Sequence, residues 1–177
     1  MTKFIIALMI AGFILHTAPA YGGPKEFEEY EVKAAFFGNF LKFIDWPRKD
    51  RDSSNYRICI YGSDPFGQYT DSIESTRIRG KTVQVRRLSA LRSVNECSVL
   101  FISSSERRRV SSVLDAVRDL DVLTVGDTEG YAKQGVMFNF YIEASKVKFE
   151  INLTSIKRSR INVSSQLLKL GRMVEYD

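Results

Sequence analysis

The sequence predicts an α/β fold: a single domain with a mixed β-sheet, parallel in its centre, and helices on both faces. Short apolar runs alternate with helical patterns between Phe27 and Val125, and such alternation favours parallel strands joined by helices. The last third instead carries two stretches that alternate every second residue, which is typical of an antiparallel hairpin. About 155 residues follow the first twenty, enough for one domain with its own core.

The first twenty residues have the pattern of a secretory signal peptide. Lys3 precedes an apolar run from Phe4 to Leu15, and Ala18-Pro19-Ala20 has small residues where a signal peptidase reads them. The alternative is an uncleaved anchor, but a membrane-spanning helix needs about 20 apolar residues and this run is shorter. We therefore expect cleavage after residues 1–20 and an exported mature domain.

Cleavage would change the chemistry that is open to the chain. It removes His16, the one histidine of the sequence, and with it any Ser-His-Asp or Cys-His nucleophile and any His-ligated zinc. No phosphate-binding fingerprint or metal-ligand spacing occurs elsewhere. The sequence therefore favours a binding protein over an enzyme, with no cofactor and no metal. Asp64 and Asp127 as an acid/base carboxylate pair are the remaining catalytic alternative.

The charge pattern argues against a nucleic-acid partner. Loss of Lys3 leaves 25 Lys and Arg against 21 Asp and Glu, a mild basic excess. The basic clusters Arg86-Arg87, Arg107-Arg108-Arg109 and Lys157-Arg158 lack the interleaved aromatic residues of a nucleic-acid reader. They are typical of solvated faces, and the alternative is attraction to anionic lipid or to an acidic partner.

The two cysteines, Cys59 and Cys97, are candidates for a disulfide. In an oxidising compartment paired thiols tend to form one. The bond would close a loop of 38 residues and contribute about 3–4 kcal/mol. The alternative is two buried free thiols that pack as small hydrophobes.

The first predicted elements are a long helix, a strand and a second helix. Apolar residues recur at helical spacing from Phe27 to Trp46 on an unusually wide face, so this helix should be largely buried. Pro47 ends it. The stretch 56–61 predicts a strand, and Asp64-Pro65 predicts the start of a helix that runs to about residue 75.

The middle of the chain predicts three more strands and a helix. The strands are the alternating stretch 82–88 and the short apolar runs 98–102 and 122–125. Ser103 with Glu106 three residues later has the spacing of a capping box. The helix that it opens carries one apolar stripe: Val110, Leu114, Val117 and Leu120.

The C-terminal third predicts the hairpin and two short helices. Val136, Phe138, Phe140 and Ile142 share one face of the first hairpin strand, and Val147, Phe149 and Ile151 share that face of the second. The outer face carries polar residues and one tyrosine: Asn139, Tyr141, Glu143, Lys146, Lys148 and Glu150. Helical stretches over 153–158 and 164–172 close the chain.

Five blocks of the sequence resemble the YfiR family. They are residues 29–47 (EYEVKAAFFGNFLKFIDWP), 57–67, 97–103 (CSVLFIS), 135–153 and 164–170 (SSQLLKL), and they stand in the family's order. The resemblance spans about 26–174. It implies a small periplasmic α/β protein whose best-understood relatives act in cyclic di-GMP signalling and biofilm regulation, as repressors of a membrane-bound diguanylate cyclase.

The resemblance also implies partners and marks two departures. Such a repressor binds the periplasmic sensor part of the cyclase, an outer-membrane-linked lipoprotein sequesters it, and a homodimer is expected. The family's second cysteine pair is missing, because no cysteine follows Cys97, whereas the pair Cys59–Cys97 carries over. Gly38 stands where an aromatic residue is usual.

Two candidate sites follow. The partner-binding surface is expected on the outer face of the hairpin, at Tyr141, Glu143, Lys148 and Glu150, with the C-terminal helices beside it. A ligand-binding pocket is expected where parallel strands end, at Asp64, Ser104 and Asp127. The alternative is that these strand-end residues only cap helices or form turns. The leading hypothesis is a cyclase repressor, and the alternative function is a periplasmic sensor of a small ligand.

Overall fold

The computed structural model describes residues 24–47 and 54–175, so the predicted signal peptide lies outside the described residues. The helices are α1 (Pro24–Phe43), α2 (Thr70–Glu74), α3 (Val110–Val117), α4 (Leu153–Arg158) and α5 (Ser165–Leu168). The strands are β1 (Ile44–Asp45), β2 (Asn55–Tyr61), β3 (Arg77–Ile78), β4 (Lys81–Leu88), β5 (Val99–Ile102), β6 (Leu123–Gly126), β7 (Phe138–Glu143), β8 (Lys146–Asn152), β9 (Asn162–Val163) and β10 (Arg172–Val174). Short 3-10 helices span Gly67–Tyr69, Leu91–Glu96 and Ser104–Arg109.

Eight of the strands form one mixed sheet in the order β10-β8-β7-β6-β5-β2-β4-β3. The central strands β4, β2, β5, β6 and β7 are parallel. β7 and β8 form the antiparallel hairpin, and β10 lies parallel to β8 at the edge. The predicted single domain with a parallel centre and a C-terminal hairpin is therefore confirmed.

Helices cover both faces of this sheet. On one face α1 buries an aromatic cluster, in which the Phe40 ring lies 4.9 Å from Phe138 and 5.2 Å from Phe149. On the other face α3 buries Val113 and Val117 against the opposite side chains of the strands. Edge-to-face and offset ring pairs of this kind add about 0.5–1.5 kcal/mol each to the effect of burial. The wide apolar face of α1 is thus explained as core.

The first helix ends three residues earlier than predicted. Ile44 and Asp45 leave the helix to pair with Val163 and Asn162 of β9. Arg79 then closes the helix end: its Nη2 donates to the Lys42 carbonyl at 3.0 Å, and its Nη1 pairs with Asp45. The hydrogen bond from Arg79 to Asp45 also raises the pKa of the arginine. These partners are remote in sequence, so the proline alone predicts the end only approximately.

The predicted capping box does not form. The Ser103 backbone N–H donates to the Tyr61 carbonyl at 3.0 Å and is unavailable to Glu106. The Ser103 hydroxyl accepts from Ser105 N–H instead. The chain turns as a 3-10 helix through Arg109, and α3 begins only at Val110.

The end of the chain differs most from the prediction. The expected helix over 164–172 stops at Leu168, and Arg172–Val174 becomes β10. Gly171 permits the close approach, since a Cβ there would lie 2.5 Å from Ile151 Cδ1 and 2.6 Å from Phe149 Cε2. Pairing with β8 therefore decides the conformation, and the expected contact helix is an edge strand.

The hairpin turn offers a stability test. Ala144 and Ser145 both have positive φ, 49° and 60°, which L-residues adopt at a cost and which Asn-Gly adopts readily. We expect Ala144→Asn with Ser145→Gly to raise the free energy of unfolding by about 1 kcal/mol, measured by urea denaturation. Ala90→Asn is the control because its φ is −152°. A turn variant no more stable than the parent would contradict the assignment.

None of the helices in the described ranges is long and apolar enough to cross a membrane.

Candidate functional site

The outer face of the hairpin brings together all four residues predicted to bind a partner. Tyr141 lies opposite Lys148, and Glu150 is two residues further along β8. Glu143 lies near the turn and pairs with Lys148. The alternation of the sequence places these side chains on the face that α1 does not cover. The hairpin surface, defined as Tyr141, Glu143, Lys148, Glu150 and Arg172, is the first candidate site.

Arg172 of β10 is the member that the sequence reasoning missed. Its Nη2 lies 2.5 Å from Glu150 Oε1, its Nη1 lies 4.0 Å from Glu143 Oε1, and its Cζ is 4.2 Å from the centre of the Tyr141 ring. A guanidinium over a tyrosine face is a cation–π contact. Because the sequence predicted a helix at this position, nothing in it placed Arg172 beside the hairpin.

Ion pairing favours the charged forms of Glu143, Lys148 and Arg172. The hydrogen bond from Lys148 lowers the pKa of Glu143 and in turn raises the pKa of Lys148. The hydrogen bond to Glu150 raises the pKa of Arg172. These ion pairs are exposed, so they stabilise the fold little. Their effect is a fixed pattern of charge around one aromatic ring.

Four large apolar side chains stay exposed among the described residues. Ile142 of β7 is 48% exposed, Met173 of β10 is 46% exposed and Leu170 before it is 71% exposed. Val32 of α1 is 44% exposed. The sequence pattern gave no sign that these residues are exposed, because Ile142 and Val32 were expected in the core, Leu170 was expected in a helix and Met173 had no assignment.

The second candidate site is a pocket of about 430 Å³ at the carboxyl ends of the strands. Ser63, Asp64 and Ser104 line it together with Tyr30 of α1 and the turn that follows Asp64. Two of the three predicted ligand-binding residues, Asp64 and Ser104, thus meet at one pocket. Asp64 Oδ1 accepts a hydrogen bond from Phe66 N–H at 2.8 Å. This contact agrees with the alternative interpretation of Asp64 as a turn residue.

Asp127 does not line this pocket. Its Oδ2 lies 2.8 Å from Lys33 Nζ and accepts from the Tyr30 hydroxyl at 2.9 Å. The side chains of Lys33 and Asp127 are only 3% and 5% exposed, and Glu29 completes the cluster at 2.5 Å from Lys33 Nζ. Asp127 therefore anchors α1 to the end of β6, a role that the sequence reasoning did not assign.

The same contacts separate the two carboxylates that were considered for acid/base chemistry. Asp64 Oδ2 accepts from Arg87 Nε at 2.7 Å, whereas Asp127 is held by Lys33. Each carboxylate has its own cation, and they do not share a site. Among the described residues no group of His, Cys, Asp or Glu side chains could hold a metal ion.

The two cysteines are bonded in the structure. Cys59 of β2 and Cys97, just before β5, form a disulfide with their Cα atoms 5.9 Å apart. Both are buried, at 0% and 3% exposure. The bond joins the two central strands on the α3 side of the sheet, and a structural disulfide is typical of an oxidising compartment.

Comparisons with known proteins give one family and a fold. The family model described as YfiR/HmsC-like matches residues 30–172. A solved structure of a conserved domain protein from Vibrio cholerae has a TM-score of 0.53 at 8% identity, over 81% of this chain and 59% of that one. An ABC domain from Streptococcus pneumoniae, solved in complex with L-Trp, has a TM-score of 0.51 at 8% identity, over 85% and 60%. The chain thus spans about three fifths of those structures, which are similar to it in fold alone.

Proposed function

The chain belongs to the YfiR/HmsC-like family, and from this premise we propose that it represses a membrane-bound diguanylate cyclase by binding the cyclase's periplasmic sensor region. At the level of the family, the match fits a periplasmic regulator of a diguanylate cyclase. The buried disulfide suits such a compartment. An outer-membrane-linked lipoprotein that sequesters the repressor is the second partner we propose.

The observation that carries this proposal is the hairpin surface. Tyrosine and arginine are the residues that dominate binding energy at protein interfaces, and here Arg172 lies directly over Tyr141. Glu150 holds that arginine in place, so little side-chain freedom is lost on binding. A rigid Tyr–Arg centre with charged neighbours is the anatomy of a specific, reversible interface.

The exposed apolar residues supply the rest of the contact area. Ile142 and Met173 lie on the two strands that carry Tyr141 and Arg172. β10 is an edge of the sheet and is only three residues long. A partner that wraps this edge would therefore bury apolar side chains on one side and the Tyr–Arg pair on the other.

Charge reversal on the hairpin surface tests the proposal. We expect Glu143→Lys and Lys148→Glu each to weaken binding to the cyclase's periplasmic region about tenfold, because they place like charges against the partner's complementary ones. In a strain that lacks the wild-type gene, either variant should raise cellular cyclic di-GMP above the level restored by the parent protein.

A matched pair elsewhere is the control. Asp115 and Arg118 of the α3 region form an exposed ion pair on the opposite face from α1, and Asp115→Lys or Arg118→Glu should repress like the parent. Circular dichroism should show all four variants folded. Repression that survives both hairpin reversals, or that is lost equally in the control pair, contradicts the assignment of this surface.

A further inference from the structure

The pocket at the strand ends has walls made by two tyrosines. Tyr30 of α1 and Tyr69 of the turn after Asp64 line it from different elements. The Tyr30 hydroxyl is fixed on Asp127 and its ring packs edge-to-face on Phe66 at 5.5 Å. Phe66 itself is 1% exposed. The apolar walls are therefore formed before any ligand arrives.

The polar groups of the pocket are uncommitted. Within the described part of the chain, the side chains of Ser63, Gln68 and Ser104 make no hydrogen bond, and all three are exposed. Hydroxyl and amide groups both donate and accept. A ligand that fits these side chains needs several groups that both donate and accept hydrogen bonds, arranged around a compact molecule.

The charge of the pocket excludes ionic ligands. Of the described residues that line it, Asp64 is the single charged one, and its carboxylate is already satisfied by Phe66 N–H and by Arg87. A phosphate or a carboxylate would meet no cation in the lining, and an ammonium group would have to compete with Arg87 for Asp64, which is costly where water is displaced. The ligand should therefore carry no net charge and no separated charges.

From these three properties we propose that the pocket binds a neutral sugar: an uncharged hexose or the uncharged end of a glycan. The C–H face of the ring packs on Tyr30 or Tyr69, since an amphipathic ring suits a partner with one apolar face. The hydroxyls hydrogen-bond Ser63, Gln68 and Ser104. A volume of about 430 Å³ lies in the range of small-molecule sites.

Isothermal titration calorimetry on the protein purified after export tests this site. The neutral probes are glucose, galactose, N-acetylglucosamine and chitobiose. Glucose 6-phosphate represents charged ligands, and adenosine represents planar ligands. We expect saturable binding of at least one neutral saccharide and a far weaker or absent response to glucose 6-phosphate and adenosine. Tighter binding of chitobiose than of N-acetylglucosamine identifies a glycan end, and equal binding identifies a free sugar.

Two variants tie the binding to this pocket. Gln68→Ala and Ser104→Ala should each weaken the affinity about tenfold, because each removes one hydrogen bond to the ligand. Gln166→Ala, at an exposed glutamine of α5, should leave the affinity unchanged. No response to any neutral saccharide, a preference for adenosine or glucose 6-phosphate, or affinities that ignore both variants would overturn the proposal. The titration needs no cyclase, so its outcome and that of the repressor proposal are independent.

Discussion

Replacing Lys33 with alanine is expected to lower the free energy of unfolding by about 3–5 kcal/mol. The substitution leaves the Asp127 carboxylate buried, at 5% side-chain exposure, with the Tyr30 hydroxyl as its remaining described partner. Removing one member of a buried ion pair costs far more than the pair contributes, because the other charge stays desolvated. Urea denaturation followed by far-UV circular dichroism measures the change.

Two companion variants separate the charge effect from loss of the side chain. Lys42→Ala removes an exposed lysine from the same helix and should cost less than about 0.5 kcal/mol. Lys33→Met with Asp127→Leu removes both charges and should recover much of the loss. If Lys33→Ala is no more destabilising than Lys42→Ala, the buried pair does not anchor α1.

This anchor changes how Asp127 variants are interpreted. Asp127→Ala leaves the Lys33 ammonium buried with Glu29 as its remaining carboxylate partner, so it should destabilise the protein, but less than Lys33→Ala does. Loss of ligand or partner binding in that variant would then follow from loss of structure. Ser104 and Gln68, which are exposed at the pocket, are the better probes of ligand binding.

Removing the disulfide is the second large effect. We expect Cys59→Ala with Cys97→Ala to lower the free energy of unfolding by about 3–4 kcal/mol, because the bond closes a loop of 38 residues in the unfolded chain. Affinity for the partner should be unchanged at temperatures where the variant stays folded, since both cysteines are buried, at 0% and 3% exposure, and cannot contact a partner.

Thiol labelling provides the check on that expectation. Intact-mass analysis of the unreduced, denatured protein should find no reactive thiol, whereas two labelled thiols would show that the exported protein does not carry the bond. A double alanine variant within about 1 kcal/mol of the parent would contradict a stabilising role for the bond.

The parts of the fold that the sequence predicted are those set by local periodicity. The hairpin 136–151 alternates cleanly, so both its strands and most of its polar face were predicted, including Tyr141 and Lys148. Asn139, which was also expected on the outer face, is buried at 1% exposure. The buried strands before Ser103 and Gly126 were predicted from short apolar runs bounded by turn residues. In each case the neighbours along the chain carry the information.

The parts that it missed are set by pairing across long sequence distances. Residues 164–172 have helical spacing, but Met173 pairs with Ile151 and draws the segment into the sheet, which overrides local preference. The sequence therefore did not predict that Arg172 belongs to the hairpin surface. Gly38, which stands where an aromatic residue is usual in the family, packs where a Cβ would lie 3.3 Å from Thr76 Cγ2.

The same distinction applies to the strand ends. Parallel strands bring their carboxyl ends to one edge, and this rule correctly united Asp64 and Ser104. It could not foresee that α1 would place Lys33 on Asp127, because the position of a helix above the sheet follows from three-dimensional packing. Tyr30, which belongs to both the pocket and the ion cluster, lies in the helix whose wide apolar face was predicted only as core.

The most direct test of the repressor proposal is site-specific photocrosslinking in the protein's native cells. A photoreactive phenylalanine at Lys146, which is exposed opposite Glu143 on the hairpin surface, should form a covalent product with a membrane-bound diguanylate cyclase, identified by mass spectrometry. The same residue at Gln166 should not. Equal products from both positions, or products that contain only further copies of this chain, would contradict the proposed function.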